Sequence, residues 1–248
     1  MSWLFDPSAP VLTAKDLVLA FTKKRPEDLS LPQRAVIVFS PADFSALVRR
    51  SGATAVAAWQ PFRRLYRTAG GATVLARSQI GGPALAGLVE ELAAFGVAEL
   101  CIWGYCGAVG ETACPGDVIL ATAAVREEGV SAHYLEGDDA VIASPWAAGW
   151  RRPCVDAGFL AGTVWTTDAI YRETANKVAR YAKEGVLGVD METASLYAVC
   201  THKGLKAAAF LVVSDLVRPD GWQSGFGSGE LKAGAGRLLD FLAKNVVV

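Results

Sequence analysis

The sequence predicts one α/β domain with a mixed, strongly twisted central β-sheet flanked by helices. Short runs rich in β-branched residues alternate along the chain with segments whose apolar residues recur at helical spacing. The 248 residues are 52% hydrophobic and 20% charged, which is enough for one large core. Because no internal repeat, low-complexity tract or linker interrupts the pattern, residues 1–248 are expected to form a single domain.

The elements of the first half follow a short arm. Residues 1–32 are mixed in polarity and punctuated by prolines, which indicates an arm or surface element. The predicted strands are 34–39, 72–78 and 99–103, and the predicted helices are 43–50 and 80–95. Pro83 suits the first turn of the second helix, Gly96 ends it, and Gly104 is expected to stop the third strand.

The second half continues the alternation. A long apolar strand at 117–125 precedes a turn-rich, polar stretch at 127–150 that we interpret as loop. The remaining predicted strands are 160–165, 186–189 and 205–214, and the remaining helices are 173–183, 192–203 and 231–244. Since strands and helices alternate, a mixed or parallel sheet is expected.

Charge, cysteine content and hydropathy exclude several functional classes. A formal net charge of −1 provides no basic surface for nucleic acid or for an anionic membrane. The five cysteines are odd in number and lack metal-ligand spacing, so we expect reduced, buried thiols and no metal. The amino terminus has no basic segment before a long apolar run, and no stretch is long enough to span a membrane. A cytoplasmic location is therefore expected.

Two acidic motifs stand at the ends of predicted strands. Asp190 and Glu192 flank Met191 where a short strand runs into a helix, and Asp215 ends the last long strand. Ligands bind at the carboxyl ends of strands in open α/β sheets. We therefore expect one pocket with two acidic roles, in which one carboxylate holds a polyol and the other handles a proton.

Four segments, in this order and spacing, resemble the nucleoside phosphorylase family of purine nucleoside and uridine phosphorylases and related nucleosidases. They are 80–83 before a helix, 104–109, 116–133, and 188–194 together with 213–215. The resemblance runs from about Arg34 to the carboxyl terminus. It implies the family's fold, cleavage of the N-glycosidic bond of a nucleoside, no metal or organic cofactor, and a homo-oligomer (dimer or hexamer).

The resemblance also implies roles for the acidic motifs. Met191 and Glu192 would bind the ribose, because an ionised carboxylate accepts hydrogen bonds from two sugar hydroxyls. Asp215 would protonate the leaving base, a step worth about 10² to 10⁴ in rate, and Arg218 could set the proton affinity of that aspartate. Uridine members generally lack this aspartate, so its presence favours a purine.

The base would lie along Cys106 and Gly107, with Asp190 and Ile170 as further base-binding residues. Ile170 stands where family members commonly carry phenylalanine, so the apolar wall is kept but aromatic stacking is lost. An ordinary core role for Ile170 is an equally open interpretation.

The phosphate site departs from the family pattern. Ser40 begins the segment where the family has a phosphate-binding glycine and arginine, and Ile102 takes the place of a second arginine. The candidate phosphate ligands are Ser40, Tyr105 and Arg77, with Arg77 as the replacement cation.

Three functions remain open at this point. The first is ribosyl transfer to phosphate as co-substrate, with the phosphate site rebuilt around Arg77 and the Arg63–Arg64 pair; it stands first because phosphorolysis is the family's commonest activity. The second is a nucleoside hydrolase (nucleosidase), in which Asp43 activates water. The third is a non-catalytic protein that binds a nucleoside or nucleobase.

Overall fold

One twisted sheet of eleven strands organises the protein, and the computed structural model describes residues 4–60 and 62–247. The strands are β1 Arg34–Val38, β2 Thr54–Ala55, β3 Leu65–Arg67, β4 Thr73–Arg77, β5 Glu99–Val109, β6 Val118–Glu127, β7 Val141–Ala143, β8 Leu160–Thr167, β9 Gly188–Asp190, β10 Lys206–Arg218 and β11 Gly221–Ser224. The helices are α1 Ala14–Thr22, α2 Pro41–Arg50, α3 Gly82–Ala93, α4 Ser131–Tyr134, α5 Ala147–Asp156, α6 Ala175–Lys183, α7 Thr193–Lys203 and α8 Gly229–Asn245.

The sheet contains a closed ring of strands. Ten of its strands follow the order β11-β10-β6-β8-β9-β5-β1-β4-β3-β2, β7 pairs with β6 beside this path, and β10 also pairs with β5. This extra pairing closes β5, β10, β6, β8 and β9 into a ring, while β1, β4, β3 and β2 extend outward from β5. Parallel pairs (β1 with β4 and β5) coexist with antiparallel pairs (β10 with β6), which confirms the predicted mixed sheet.

Helices cover both faces of the sheet, and β1 shows how its residues divide between them. Ala35 and Ile37 pack in the core shared with α3 and α7, whereas Val36 and Val38 pack in the core shared with α2, α5 and α8. Successive side chains of a strand point to opposite faces, so an unbroken apolar run is what a strand covered on both sides requires.

The segment predicted as an arm is a packed element in the described residues. Thr13 begins α1 with a capping box, accepting from the Asp16 backbone N–H while Asp16 reaches back. Val18 and Leu29 are fully buried, and α1 packs against α3.

Two predictions about local structure were wrong. Residues 127–150 are not a continuous loop, because β7 lies within them and α5 begins there; Trp150 is buried against Phe210, with ring centroids 5.6 Å apart. Gly104 does not stop β5, which continues to Val109. A Cβ on Gly104 would lie 3.0 Å from the Leu211 side chain, so this glycine permits close approach of β10 rather than a turn.

Four of the five cysteines are buried, and Cys114 is exposed. Within residues 4–60 and 62–247, no helix has both the length and the apolar character needed to cross a bilayer.

Candidate active site

Gly107 lies where the two acidic motifs meet. In β5 it pairs with Val189 of β9 on one side and with Asp215 of β10 on the other. Neighbouring strands are about 4.8 Å apart, so the motif that ends in Glu192 and the motif that ends in Asp215 flank one short stretch of β5. A Cβ at position 107 would lie 2.9 Å from Asp215 Oδ2 and 2.6 Å from Val217 Cγ2, so only glycine fits there without displacing them.

Glu192 is held by backbone donors at the start of two helices. The Gly81 N–H donates to Oε1 at 2.6 Å, and the Met191 N–H donates to Oε2 at 3.3 Å. Burial, followed by the charge of Asp190, raises the pKa of Glu192 from 4.5 to about 8. The turn before α3 and the start of α7 are therefore joined through this carboxyl group.

Asp190 is engaged by the protein itself. Its Oδ1 accepts from Thr166 Oγ1 at 2.7 Å, and its Oδ2 accepts from the Thr193 N–H at 2.9 Å and from Thr193 Oγ1 at 2.5 Å. Its pKa is raised by burial. Both carboxylate oxygens tie β8 and the start of α7 to β9, so the geometry fits a residue that positions Met191 and Glu192 rather than one that contacts a base.

Asp215 follows an irregularity in β10. The register with β5 shifts between Val213 and Asp215, so Ser214 bulges out of the ladder. Ser214 Oγ donates to Asp215 Oδ1 at 2.5 Å, and Trp222 Nε1 donates to Oδ2 at 2.8 Å. The bulge re-aims the carboxylate toward Gly107, and two donors hold it there.

Two residues that the sequence analysis missed belong to this end of the site. Trp222 arrives from β11, whose pairing with β10 sets Val217 opposite Trp222. Glu173 is half-buried, and burial, followed by the charge of Asp215, raises its pKa to about 7. The Pro219–Asp220 pair is a turn signal that could have predicted the hairpin and hence Trp222. No comparable signal marks Glu173.

Cys106 is buried next to β9, where a Cβ on Gly188 would lie 2.9 Å from its Sγ. Burial, followed by the charges of Asp190 and Asp215, raises the pKa of Cys106 well above its usual value. A thiol of this kind stays protonated at neutral pH, so Cys106 can line a ligand but is a poor nucleophile.

The structure does not bring Arg218 to Asp215. Arg218 lies three residues further along β10, on the opposite face of the strand, and its guanidinium donates to the Ala108 carbonyl at 2.8 Å. Ile170 lies in a short 3₁₀ turn, and its side chain is 53% exposed, so an ordinary core role for it is wrong.

The segment after β1 carries an acid instead of a basic residue. Ser40 caps α2 by accepting from the Asp43 backbone N–H at 3.3 Å. The Tyr105 hydroxyl donates to Asp43 Oδ2 at 2.6 Å, and burial, followed by this hydrogen bond, raises the pKa of Tyr105. The phenol therefore stays protonated and holds the carboxylate in place, while Asp43 Oδ1 makes no hydrogen bond within the described residues.

The arginines predicted to bind phosphate lie on the side of β1 that faces away from β5. Arg77 ends β4, which β1 separates from β5. It lines a cleft with Arg63 and Arg64, whereas Ser40 and Tyr105 do not line it. Arg63 forms a two-point ion pair with the buried Glu91, at 2.7 and 2.8 Å. The structure thus does not gather the three candidate phosphate ligands around one point.

Chemically, this arrangement offers three carboxyl groups. Glu192 can accept hydrogen bonds from hydroxyls, Asp215 can transfer a proton, and Asp43 is bound to the Tyr105 phenol. Among the residues that the structure describes, no group of three His, Cys, Asp or Glu side chains is placed to hold a metal ion.

Comparison with known proteins identifies relatives of the whole fold and of part of the sequence. The family model for the phosphorylase superfamily matches residues 33–232. A DeoD-type purine nucleoside phosphorylase from Bacillus cereus is 33% identical over 143 residues, which cover 55% of this chain and 60% of that protein. A guanosine phosphorylase from Halorubrum lacusprofundi is 33% identical over 141 residues, covering 54% and 57%. The chain thus spans about 60% of the length of such relatives.

A solved structure extends the likeness to nearly the whole fold. Uridine phosphorylase from Vibrio fischeri superposes with a TM-score of 0.72 at 23% identity, covering 88% of this chain and 93% of that one. At this identity the likeness concerns the fold.

Proposed function

Because this chain belongs to the phosphorylase superfamily, we propose that it is an enzyme that cleaves the N-glycosidic bond between a purine and ribose. Membership confirms the resemblance carried by the four segments, and the superposition on a uridine phosphorylase confirms the fold that they implied.

Glu192 is the residue that binds the ribose. Its carboxyl group is buried, and two backbone N–H groups fix its orientation. Carboxylate oxygens retain lone pairs after each accepts one hydrogen bond, so the 2′ and 3′ hydroxyls can still donate to it. Met191, adjacent on the same turn, packs against the sugar.

Asp215 is the residue that protonates the leaving base. A purine departs poorly as an anion, so a proton delivered to its imidazole nitrogen lowers the barrier. The carboxylate is fixed by Ser214 and Trp222 beside Gly107 and Cys106, along which the base would lie. The names of two sequence relatives, a purine nucleoside and a guanosine phosphorylase, agree with a purine.

Water is the nucleophile that the site supports best, and the Tyr105–Asp43 hydrogen bond of 2.6 Å carries this conclusion. A carboxylate stands where the family's pattern places phosphate, and its charge repels an incoming anion. Asp43 would take a proton from water as the oxygen attacks C1′. The C1′–N9 bond breaks and Asp215, protonated beforehand from solvent, gives its proton to the base, so that ribose and free purine result. The proton taken up by Asp43 then returns to solvent, which restores both carboxyl groups.

Phosphate is the second candidate nucleophile, because Arg64 and Arg77 lie near this region without partners among the described residues. Ribosyl transfer would require one of these guanidiniums to cross over the end of β1 toward Tyr105.

Several further features belong to the proposal. The ligand is a nucleoside or nucleobase, no metal or organic cofactor takes part, and the protein acts as a homo-oligomer (dimer or hexamer) in the cytoplasm.

The deciding experiment measures products. The protein is incubated with adenosine, inosine, guanosine and uridine, with and without phosphate, and ribose, ribose 1-phosphate and base are quantified. Ribose formed at the same rate with or without phosphate supports hydrolysis. Ribose 1-phosphate formed only with phosphate refutes it in favour of the second candidate. Binding without any base release would mean that the protein holds nucleosides without cleaving them.

Two variants test the role of Asp43. Asp43→Asn should slow ribose formation by at least about 100-fold, and Tyr105→Phe by about tenfold or more, since it removes a hydrogen bond to a charged group. Asp156→Asn, on the exposed surface of α5, is the matched control. Equal rates for Asp43→Asn and the control would contradict the assignment of the base.

A further inference from the structure

We propose that the cleft between α2, β3 and the start of α3 is a second ligand site, which binds the phosphate group and ring of a nucleoside monophosphate. This site is separate from the one around Gly107, and the proposal does not depend on the reaction proposed above.

The cleft has the size of a small-molecule site. Its volume is about 610 Å³, within the range of roughly 300 to 1,000 Å³ usual for such sites. The residues that line it are Pro41, Phe44, Ser45, Phe62, Arg63, Arg64, Leu65, Tyr66, Arg77, Ser78, Gln79, Ala84 and Leu88. A free phosphate ion would fill little of this space, so the cleft has room for a ligand with a larger body.

The charge of the cleft calls for an anion. None of the described residues that line it is acidic, and three are arginines. Arg63 is neutralised by Glu91, but Arg64 and Arg77 make no hydrogen bond or ion pair within the described part of the chain. Two unpaired guanidiniums facing one cavity are suited to two-point recognition of a phosphate group.

Uncharged donors and a ring surface complete the site. The Gln79 amide and the Tyr66 hydroxyl also lack hydrogen-bond partners among the described residues. Phe44 packs edge-on against Tyr66, with centroids 5.6 Å apart, which fixes an aromatic wall beside the arginines. A phosphate group on the arginines and a planar ring against this wall would use both kinds of surface.

The cleft and the first site are lined by different residues. Asp43 and Ser45 stand on the same helix, but Asp43 bonds Tyr105 while Ser45 faces the cleft. Gly107, Glu192 and Asp215 do not line the cleft. A ligand in it would therefore leave the nucleoside position open.

The test is calorimetric titration of the purified protein with adenosine monophosphate at low salt. We expect saturable binding that weakens at least about tenfold in the double variant Arg64→Gln, Arg77→Gln, because charge-assisted hydrogen bonds are lost. The control double variant, Arg49→Gln with Arg151→Gln, makes the same charge change at two exposed helix positions outside the cleft and should bind like the wild type. Circular dichroism verifies that both double variants are folded.

Further measurements test whether the nucleotide binds in this cleft or in the nucleoside site. Saturating formycin A, a nucleoside whose carbon–carbon bond resists cleavage, should not displace the nucleotide; displacement would mean that the nucleotide occupies the nucleoside site and would overturn the proposal. Equal loss of affinity in both double variants would also overturn it, as would no binding of adenosine monophosphate at millimolar concentration. Production of ribose 1-phosphate that requires Arg64 and Arg77 would reassign these arginines to a co-substrate.

Discussion

Replacing Glu192 by glutamine should flatten the pH dependence of stability between pH 4.5 and about 8. The Glu192 side chain is buried, and burial together with the charge of Asp190 raises its pKa from 4.5 to about 8. In this interval the folded protein binds a proton at Glu192 that the unfolded chain releases. The stabilisation is therefore fully present below pH 4.5 and is lost as pH rises toward 8.

The size of the effect follows from the same interval. Each pH unit corresponds to about 1.4 kcal/mol, so the difference between 4.5 and about 8 amounts to at most roughly 5 kcal/mol for the Glu192 carboxyl. Glutamine keeps an acceptor for the Gly81 N–H but loses the longer hydrogen bond from Met191. That loss costs about 1 kcal/mol at every pH, so it shifts the stability curve without changing its slope.

The assay is urea unfolding at pH 5, 6, 7 and 8, followed by tryptophan fluorescence. The wild type should lose several kcal/mol more than Glu192→Gln between the lowest and highest pH, as an order of magnitude. Asp190, whose pKa burial also raises, interacts with Glu192, so the difference between the two proteins reports the titration of this pair. Glu136→Gln, at an exposed glutamate, should follow the wild type.

Parallel loss of stability in the wild type and Glu192→Gln would refute this reasoning. It would mean that Glu192 is ionised in the folded protein at neutral pH, with the Gly81 and Met191 donors outweighing burial.

Three further predictions concern the site and its support. Nucleoside binding at pH 7 should release up to one proton from Glu192, because sugar hydroxyls favour the ionised carboxylate. Calorimetry in buffers of different ionisation enthalpy measures the number of protons released, and zero release would contradict the prediction. Gly107→Ala should displace Asp215 and lower kcat at least about tenfold, since the new Cβ would lie 2.9 Å from Asp215 Oδ2. Unchanged steady-state kinetics would mean that Asp215 does not act on the substrate. Arg63→Ala should destabilise the protein by about 1 to 2 kcal/mol, less than for a fully buried pair, because Glu91 stays buried while Arg63 is partly exposed to solvent. Denaturation of this variant and of Glu91→Gln measures the effect, and wild-type stability in both would exclude a structural ion pair.

Much of the fold could be predicted from the sequence because local chemistry decides it. The β-branched run of β1 is apolar on both faces, as a strand between two helical layers must be, and Ser40 and Pro41 mark the helix that follows. The acidic motifs were predicted at strand ends because a buried strand can place a carboxylate only where its ladder stops or bulges. The observed β9 ends with Asp190, as predicted, whereas β10 continues to Arg218 and holds Asp215 at a bulge rather than at its end.

The glycines show where local chemistry misleads. Gly104 was interpreted as the end of a strand, whereas it lets β5 run on to Val109 against β10. A glycine serves equally as a turn residue or as a place of close approach, and the neighbour that approaches lies more than a hundred residues away. The register between the strands of the ring therefore could not be predicted from the local sequence.

The sequence by itself determined the alternation of strands and helices, the family, and the two carboxyl groups at Glu192 and Asp215, since each depends on residue type and short-range order. Only the tertiary structure decided which groups face one another. It set Tyr105 on Asp43, turned Arg218 away from Asp215, and moved Arg77 to a separate cleft. Hydrogen bonds and charges act over a few ångströms in space, and the pairing of β5 with β1 on one side and with β10 on the other brings these distant positions within that range.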